Sequence, residues 1–145
     1  MKFYFLDTSA LVKRYHAEKG TDVIDRIFSE KDKAIVISSI CITEMVSAMN
    51  RKKEEKAISK EDLDVALSRF FHDAIKEFLI LELDDEHIRD SIVLVLKHNL
   101  RTLDALQLAV AIGLKEVKPV FVCADKKLVS VAEKEGIAAI NPEAP

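Results

Sequence analysis

The chain has 145 residues, of which 49% are hydrophobic and 32% charged, with a formal net charge of −3. This composition excludes a disordered segment. It also excludes a broad basic surface for nucleic acid, though not basic residues held locally beside an acidic centre. No apolar run nears the roughly 18 residues that cross a bilayer, and the start of the chain lacks a signal-peptide pattern. One domain over residues 1–145 is expected at this length. The two cysteines, Cys41 and Cys123, sit in apolar surroundings as small buried hydrophobes, in keeping with a reducing, cytoplasmic setting.

Phe3 to Leu6 are apolar without strict alternation, so they read as a strand buried on both faces that runs straight into Asp7. Thr8 to His16 follow as a short helix, with Leu11, Val12 and Tyr15 inward and Lys13 and Arg14 on the wetter side. After Gly20, Thr21 to Ser29 form a second amphipathic helix. Ala34 to Ile37 are a second strand, and Ser38 or Ser39 caps a helix from about Ile40 that carries Glu44 and ends in the charged run Arg51 to Lys56. Ser59, with Asp62 three residues on, is a capping-box start for a helix whose inward face is Ala66, Leu67, Phe70 and Phe71. Residues 40–77 therefore make a helical hairpin, expected to form part of a cleft wall.

Phe78 to Leu83 read as a third strand, and Asp84 caps a helix with Ile88, Ile92, Val95 and Leu96 at helical spacing. Thr102 is placed to cap Leu103 to Gly113, with Asp104 in the first turn. Pro119 to Cys123 are a fourth strand ending at Ala124-Asp125, Lys126 to Glu135 a last helix, and Ile137 to Ile140 a fifth strand. Strands alternating with helices predict a three-layer α/β/α fold around a mostly parallel sheet of four to five strands.

In such a sheet the carboxyl ends of the strands and the starts of the following helices share one edge, where open sheets bind ligands. Asp7, Glu44, Asp104 and Asp125 all fall on that edge. Each also has a plain structural role open to it: helix cap for Asp7 and Asp125, first-turn acid for Asp104, surface residue for Glu44. Yet Glu44 lies among Cys41, Ile42, Met45 and Val46, and Asp104 among Leu103, Ala105 and Leu106. Acids avoid such surroundings unless paired or metal-bound. One divalent metal would give all four a common cause. Oxygen ligands without a histidine or cysteine cluster favour Mg²⁺ or Mn²⁺, and His16, His72, His87 and His98 are scattered outside the set. A carboxylate-held Mg²⁺ suits phosphodiester hydrolysis.

At this point the chain resembles the PIN-domain family, and within it the ribonuclease toxins of VapBC toxin–antitoxin systems. The resemblance is carried by four stretches: Phe5 to Leu11 with Lys13-Arg14-Tyr15; Ile37 to Glu44; Leu100 to Ala109; and Val120 to Leu128 with Ala132, Gly136 and Asn141-Pro142. It implies a metal-dependent endoribonuclease in which Asp7, Glu44, Asp104 and Asp125 form the acidic quartet. Asp7 and Asp104 would be the most direct metal ligands, and Thr8 or Ser9 would position Asp7. It further implies a transfer or ribosomal RNA substrate, a small antitoxin protein bound in a groove near the hairpin, and a homodimer. One departure stands out: relatives often carry Thr or Ser where this chain has Cys123, and a thiol is the poorer hydrogen-bond donor.

Lys13, Arg14, Arg101, Lys126 and Lys127 lie near the acidic motifs and are candidates for RNA-backbone contacts, since phosphate contacts position rather than specify. Arg101 is the foremost of them, and the run Arg51-Lys52-Lys53 is either plain solubility or cleft wall. Other readings compete. A PIN nuclease in RNA processing or turnover would use the same acids without being a toxin. A phosphoacceptor enzyme of the haloacid-dehalogenase kind would need an Asp where this chain has Ser9. A non-catalytic binding module would have no use for all four acids.

Overall fold

The computed structural model describes residues 1–145. Five strands, Lys2–Leu6 (β1), Lys33–Ser38 (β2), Phe78–Leu81 (β3), Val120–Val122 (β4) and Ala138–Ile140 (β5), lie in the order β3-β2-β1-β4-β5, and every pairing is parallel. Parallel neighbours require crossovers, and helices supply them. Thr8–Tyr15 (α1) and Thr21–Ser29 (α2) join β1 to β2, and Ile40–Glu54 (α3) and Lys60–Lys76 (α4) join β2 to β3. Asp85–His98 (α5) and Thr102–Ile112 (α6) join β3 to β4, and Lys126–Lys134 (α7) joins β4 to β5.

The pleat of β1 sends Tyr4 and Leu6 into one core, with Ile24, Met45 and Phe70 from α2, α3 and α4. Phe5 points into the other, with Leu94, Leu108 and Leu128 from α5, α6 and α7. Helices thus cover both faces, which is why the strands are continuous apolar runs. Across β1 and β4 the rings of Phe5 and Phe121 stack with centroids 5.8 Å apart. The chain leaves β1 for β2 on one side and comes back through β4 on the other. Strand order therefore reverses beside β1, and a crevice opens beyond the carboxyl ends of β1 and β4. Asp7 stands there, its N–H donating to the Val122 carbonyl at 3.0 Å.

Several local expectations are corrected. On α5, Ile88, Ile92 and Leu96 are exposed, and Ser91 and Leu94 are buried instead. The helix is rolled so that a narrow edge with a small Ser packs inward, against α6. Phe71 is exposed beside a fully buried Phe70. Thr102 is the first residue of α6 rather than its cap, a position that falls to Arg101, and Ser39 caps α3 without any side-chain hydrogen bond. The Ser59–Asp62 box forms with both reciprocal bonds. Lys13 is not on a wet face. It is buried, its Nζ paired with Glu18 at 3.1 Å and Glu143 at 2.9 Å, while Lys52 reaches Glu18 at 3.2 Å. The same corner is closed by Gly20 at φ +94°, where a Cβ would meet the Pro142 carbonyl at 3.0 Å. The last residues thereby clasp the turn between α1 and α2. No helix is long and apolar enough to cross a membrane.

Candidate active site

Asp7 follows β1 in extended backbone and is also the N-cap of α1. Its Oδ2 accepts from the Ser9 N–H at 3.2 Å and the Ser9 hydroxyl at 2.6 Å. Ser9 Oγ in turn accepts from the Ala124 N–H at 3.0 Å, tying the start of α1 to the loop after β4. Cap and site are one residue here. Burial raises the Asp7 carboxyl from 3.8 to about 6; the Ser9 bonds oppose the rise, and the charges of Glu44 and Asp104 add to it.

Glu44 sits in the second turn of α3. Its Oε1 accepts from the Thr8 hydroxyl at 3.0 Å and from the Gln107 amide at 2.9 Å. Thr8 starts α1 and Gln107 belongs to α6, so this carboxylate locks three helices together. Gln107 is fully buried, and its Oε1 has no partner. The two thiols support the same network. Cys41 Sγ lies 3.3 Å from the Thr8 hydroxyl, and burial pushes its thiol up to about 12. Cys123 Sγ donates toward Asp7 Oδ2 at 3.6 Å and accepts from the Asp125 N–H at 3.3 Å. Burial, and then the Asp7 charge, raise its pKa, so it stays protonated and serves as a donor in place of a hydroxyl.

Asp104 lies in the first turn of α6, and Asp125 is the N-cap of α7, accepting from the Leu128 N–H at 3.0 Å. Arg101 spans them, its Nε 3.4 Å from Asp104 Oδ2 and its terminal nitrogen 3.8 Å from Asp125 Oδ2. Burial raises the Asp104 carboxyl, with Arg101 opposing and Asp125 adding.

All four acids line one cleft of about 800 Å³, together with Thr8, Ser9, Lys13 and Arg101. Arg14, Lys126 and Lys127 lie outside it. Arg14 pairs with Asp25 and rests over the Phe28 ring at 4.7 Å. Lys127 donates to the Asn99 carbonyl at 2.9 Å, beside a smaller pocket that shares Arg101, Asp104 and Asp125. Within the cleft Lys13 is already neutralised by its two carboxylates. Nothing in the sequence separates Arg51 from the charged run it opens, yet it lines the wall on the same face of α3 as Glu44 and Ala48 and bonds to the Ser47 hydroxyl. Gln107 is a second residue of the site to which the motif reading gives no role, since its amide bonds to Glu44. A lone amide inside Leu106-Gln107-Leu108-Ala109, three residues after Asp104, is the signal for it, because a buried amide needs a partner. None of the four histidines lines the cleft.

No three His, Cys, Asp or Glu side chains stand close enough, as they lie, to hold one metal ion. Each acid is turned to a protein partner: Asp7 to Ser9, Glu44 to Thr8 and Gln107, Asp104 and Asp125 to Arg101. In chemistry the set fits a hard divalent cation, because it offers carboxylate oxygens only, and Asp7 is buried among like charges. Sharing one ion would require rotation of these side chains.

In fold the chain is similar to a number of solved structures, three of which illustrate the likeness. VapBC2 from Rickettsia felis, bound to a DNA fragment from its promoter, is 16% identical, with a TM-score of 0.68 over 96% of this chain and 98% of that one. PAE2754 from Pyrobaculum aerophilum is 21% identical, with a TM-score of 0.65 over 98% and 90%. A toxin–antitoxin complex from Klebsiella pneumoniae is 17% identical, with a TM-score of 0.64 over 98% and 99%. None of the curated proteins matches the chain in sequence. The PIN domain profile matches residues 4–134, so the chain belongs to the PIN-domain family.

Proposed function

We propose that the chain is a metal-dependent endoribonuclease working as one nuclease unit, with Asp7, Glu44, Asp104 and Asp125 as its catalytic carboxylates and Mg²⁺, or Mn²⁺, as cofactor. The observation that carries this reading is that acids from four separate stretches line a single cleft at the reversal point of the sheet. Asp7 and Asp104 would hold the ion most directly, with Glu44 and Asp125 completing the set. When bound, such an ion activates water, orients the phosphate and stabilises charge on the leaving oxygen. The chain's own residues do the positioning. Ser9 orients Asp7, Thr8 and Gln107 orient Glu44, and Cys123 supports Asp7 from beneath. Arg101 and Arg51, which both line the cleft, would take backbone phosphates, a task for which guanidinium groups are well shaped.

The solved relatives from Rickettsia and Klebsiella are toxin–antitoxin proteins by name. They support a toxin restrained by a small antitoxin protein; the substrate class proposed for it is transfer or ribosomal RNA. The exposed apolar residues Ile88, Ile92 and Leu96 of α5 support a homodimer. The test is incubation of total and transfer RNA with antitoxin-free protein in EDTA, Mg²⁺ or Mn²⁺. Discrete fragments that need metal, and are lost with Asp7→Asn, are expected. Cleavage that persists in EDTA, or is equal for the variant, would overturn the reading. Growth arrest on expression of the wild type and not of Asp7→Asn would mark the toxin rather than a processing nuclease.

A further inference from the structure

We propose that Arg101 is a resident counter-cation of the cleft, holding Asp104 and Asp125 until a divalent ion displaces it, and then free to take a phosphate of the substrate. The inference rests on the metal-dependent reading above and adds a specific exchange to it.

Three observations carry it. First, the guanidinium spans two of the four carboxylates proposed for the metal, Asp104 among the most direct of them, at 3.4 Å and 3.8 Å, through Oδ2 of each. Two cations cannot share those oxygens without strong repulsion, so ion and guanidinium exclude each other. Second, the Arg101 side chain is 84% exposed. Charge alone holds it in place, so changing partners breaks no packing. Its backbone is fixed as the N-cap of α6, three residues before Asp104, so the displaced side chain stays at the lip of the cleft. Third, two neighbouring cations are committed elsewhere. Lys127 is bonded to the Asn99 carbonyl, and Lys13 is buried between Glu18 and Glu143. Arg101 is the cation at this lip whose partners are the acids themselves.

The exchange gives Arg101 opposite effects on the two ligands: it opposes metal and favours RNA. Removing it should therefore tighten metal binding, whereas removing a residue that merely supports the acids would loosen it.

The test is calorimetric titration of Mn²⁺ at low salt, without RNA, into wild type, Arg101→Ala, Arg101→Lys and Asp104→Asn. Arg101→Ala should bind Mn²⁺ several-fold more tightly than wild type, on the order of five-fold, the worth of exposed ion pairs. Arg101→Lys should fall between the two, and the gap should shrink as salt is added. Unchanged or weaker affinity in Arg101→Ala, with binding by wild type intact and lost in Asp104→Asn, would overturn this inference and leave the metal-dependent reading standing. Absence of Mn²⁺ binding in wild type and Arg101→Ala alike would overturn both.

Discussion

Asp7 combines two duties that pull its charge in opposite directions. As N-cap it is held by Ser9, and as a buried acid it is penalised for being ionised. Its folded pKa of about 6 lies above the ordinary 3.8, so the folded state binds the proton more tightly than the unfolded chain. The penalty is therefore fully present above pH 6, is relieved as pH falls through about 6, and is gone below 3.8. A difference of this size between folded and unfolded chain corresponds to about 3 kcal/mol. Asp7→Asn should stabilise the metal-free protein by an amount of that order at about pH 8, with the gain over wild type vanishing near pH 4. Mg²⁺ should raise the melting temperature of wild type only. Thermal melts of the two proteins across this range check it. Gln107 makes a different case. Gln107→Leu removes both the donor to Glu44 and the unpartnered Oε1, so stability should change by less than about 1 kcal/mol. Cleavage should still fall about ten-fold or more, as is usual when the partner that orients a metal-site ligand is lost. Parallel melts and cleavage rates would show the split, and a loss of stability matching the loss of activity would argue for simple packing.

At the scale of elements, the helix starts separate what local sequence can specify from what it cannot. Ser59 and Asp62 lie three residues apart and satisfy each other, so the start of α4 is legible without knowledge of any neighbour. Ser39 is as good a cap by composition but makes no capping bond, because the chain enters α3 straight from β2, with the Ser39 N–H donating to the Leu81 carbonyl at 2.8 Å. Ser59→Ala should cost about 1 kcal/mol by denaturant unfolding, and Ser39→Ala only a few tenths. The roll of α5 is not legible either. Its apolar stripe and its buried edge of Ser91 and Leu94 lie roughly 100° apart around the helix, and only the packing partner α6 decides which of them faces inward. Lys13 escapes sequence reading for a similar reason: Glu143, one of the two carboxylates that bury it, comes from the far end of the chain.

At the scale of the whole molecule, a parallel sheet brings Asp7 and Asp125 at strand ends, and Glu44 on the helix after β2, to one edge, and that part of the site is legible from the alternation of strands and helices; Asp104 reaches the same cleft from α6, which follows another helix. The acids are visible because they interrupt apolar stretches. Their pairing with Ser9, Gln107 and Arg101 is not, because it depends on side-chain reach across α1, α3 and α6. Nor is acidity by itself the claim, since Glu18, Glu55 and Glu143 line the same cleft. The most direct measurement compares single-turnover cleavage of one defined RNA in Mn²⁺ by six variants: Asp7→Asn, Glu44→Gln, Asp104→Asn, Asp125→Asn, Glu18→Gln and Glu143→Gln. If the quartet is the catalytic set, its four variants should lose on the order of a hundred-fold or more, and the two clasp variants should stay within several-fold of wild type. Equal losses across all six, or full activity in any of the Asp7, Glu44, Asp104 or Asp125 variants, would contradict the account.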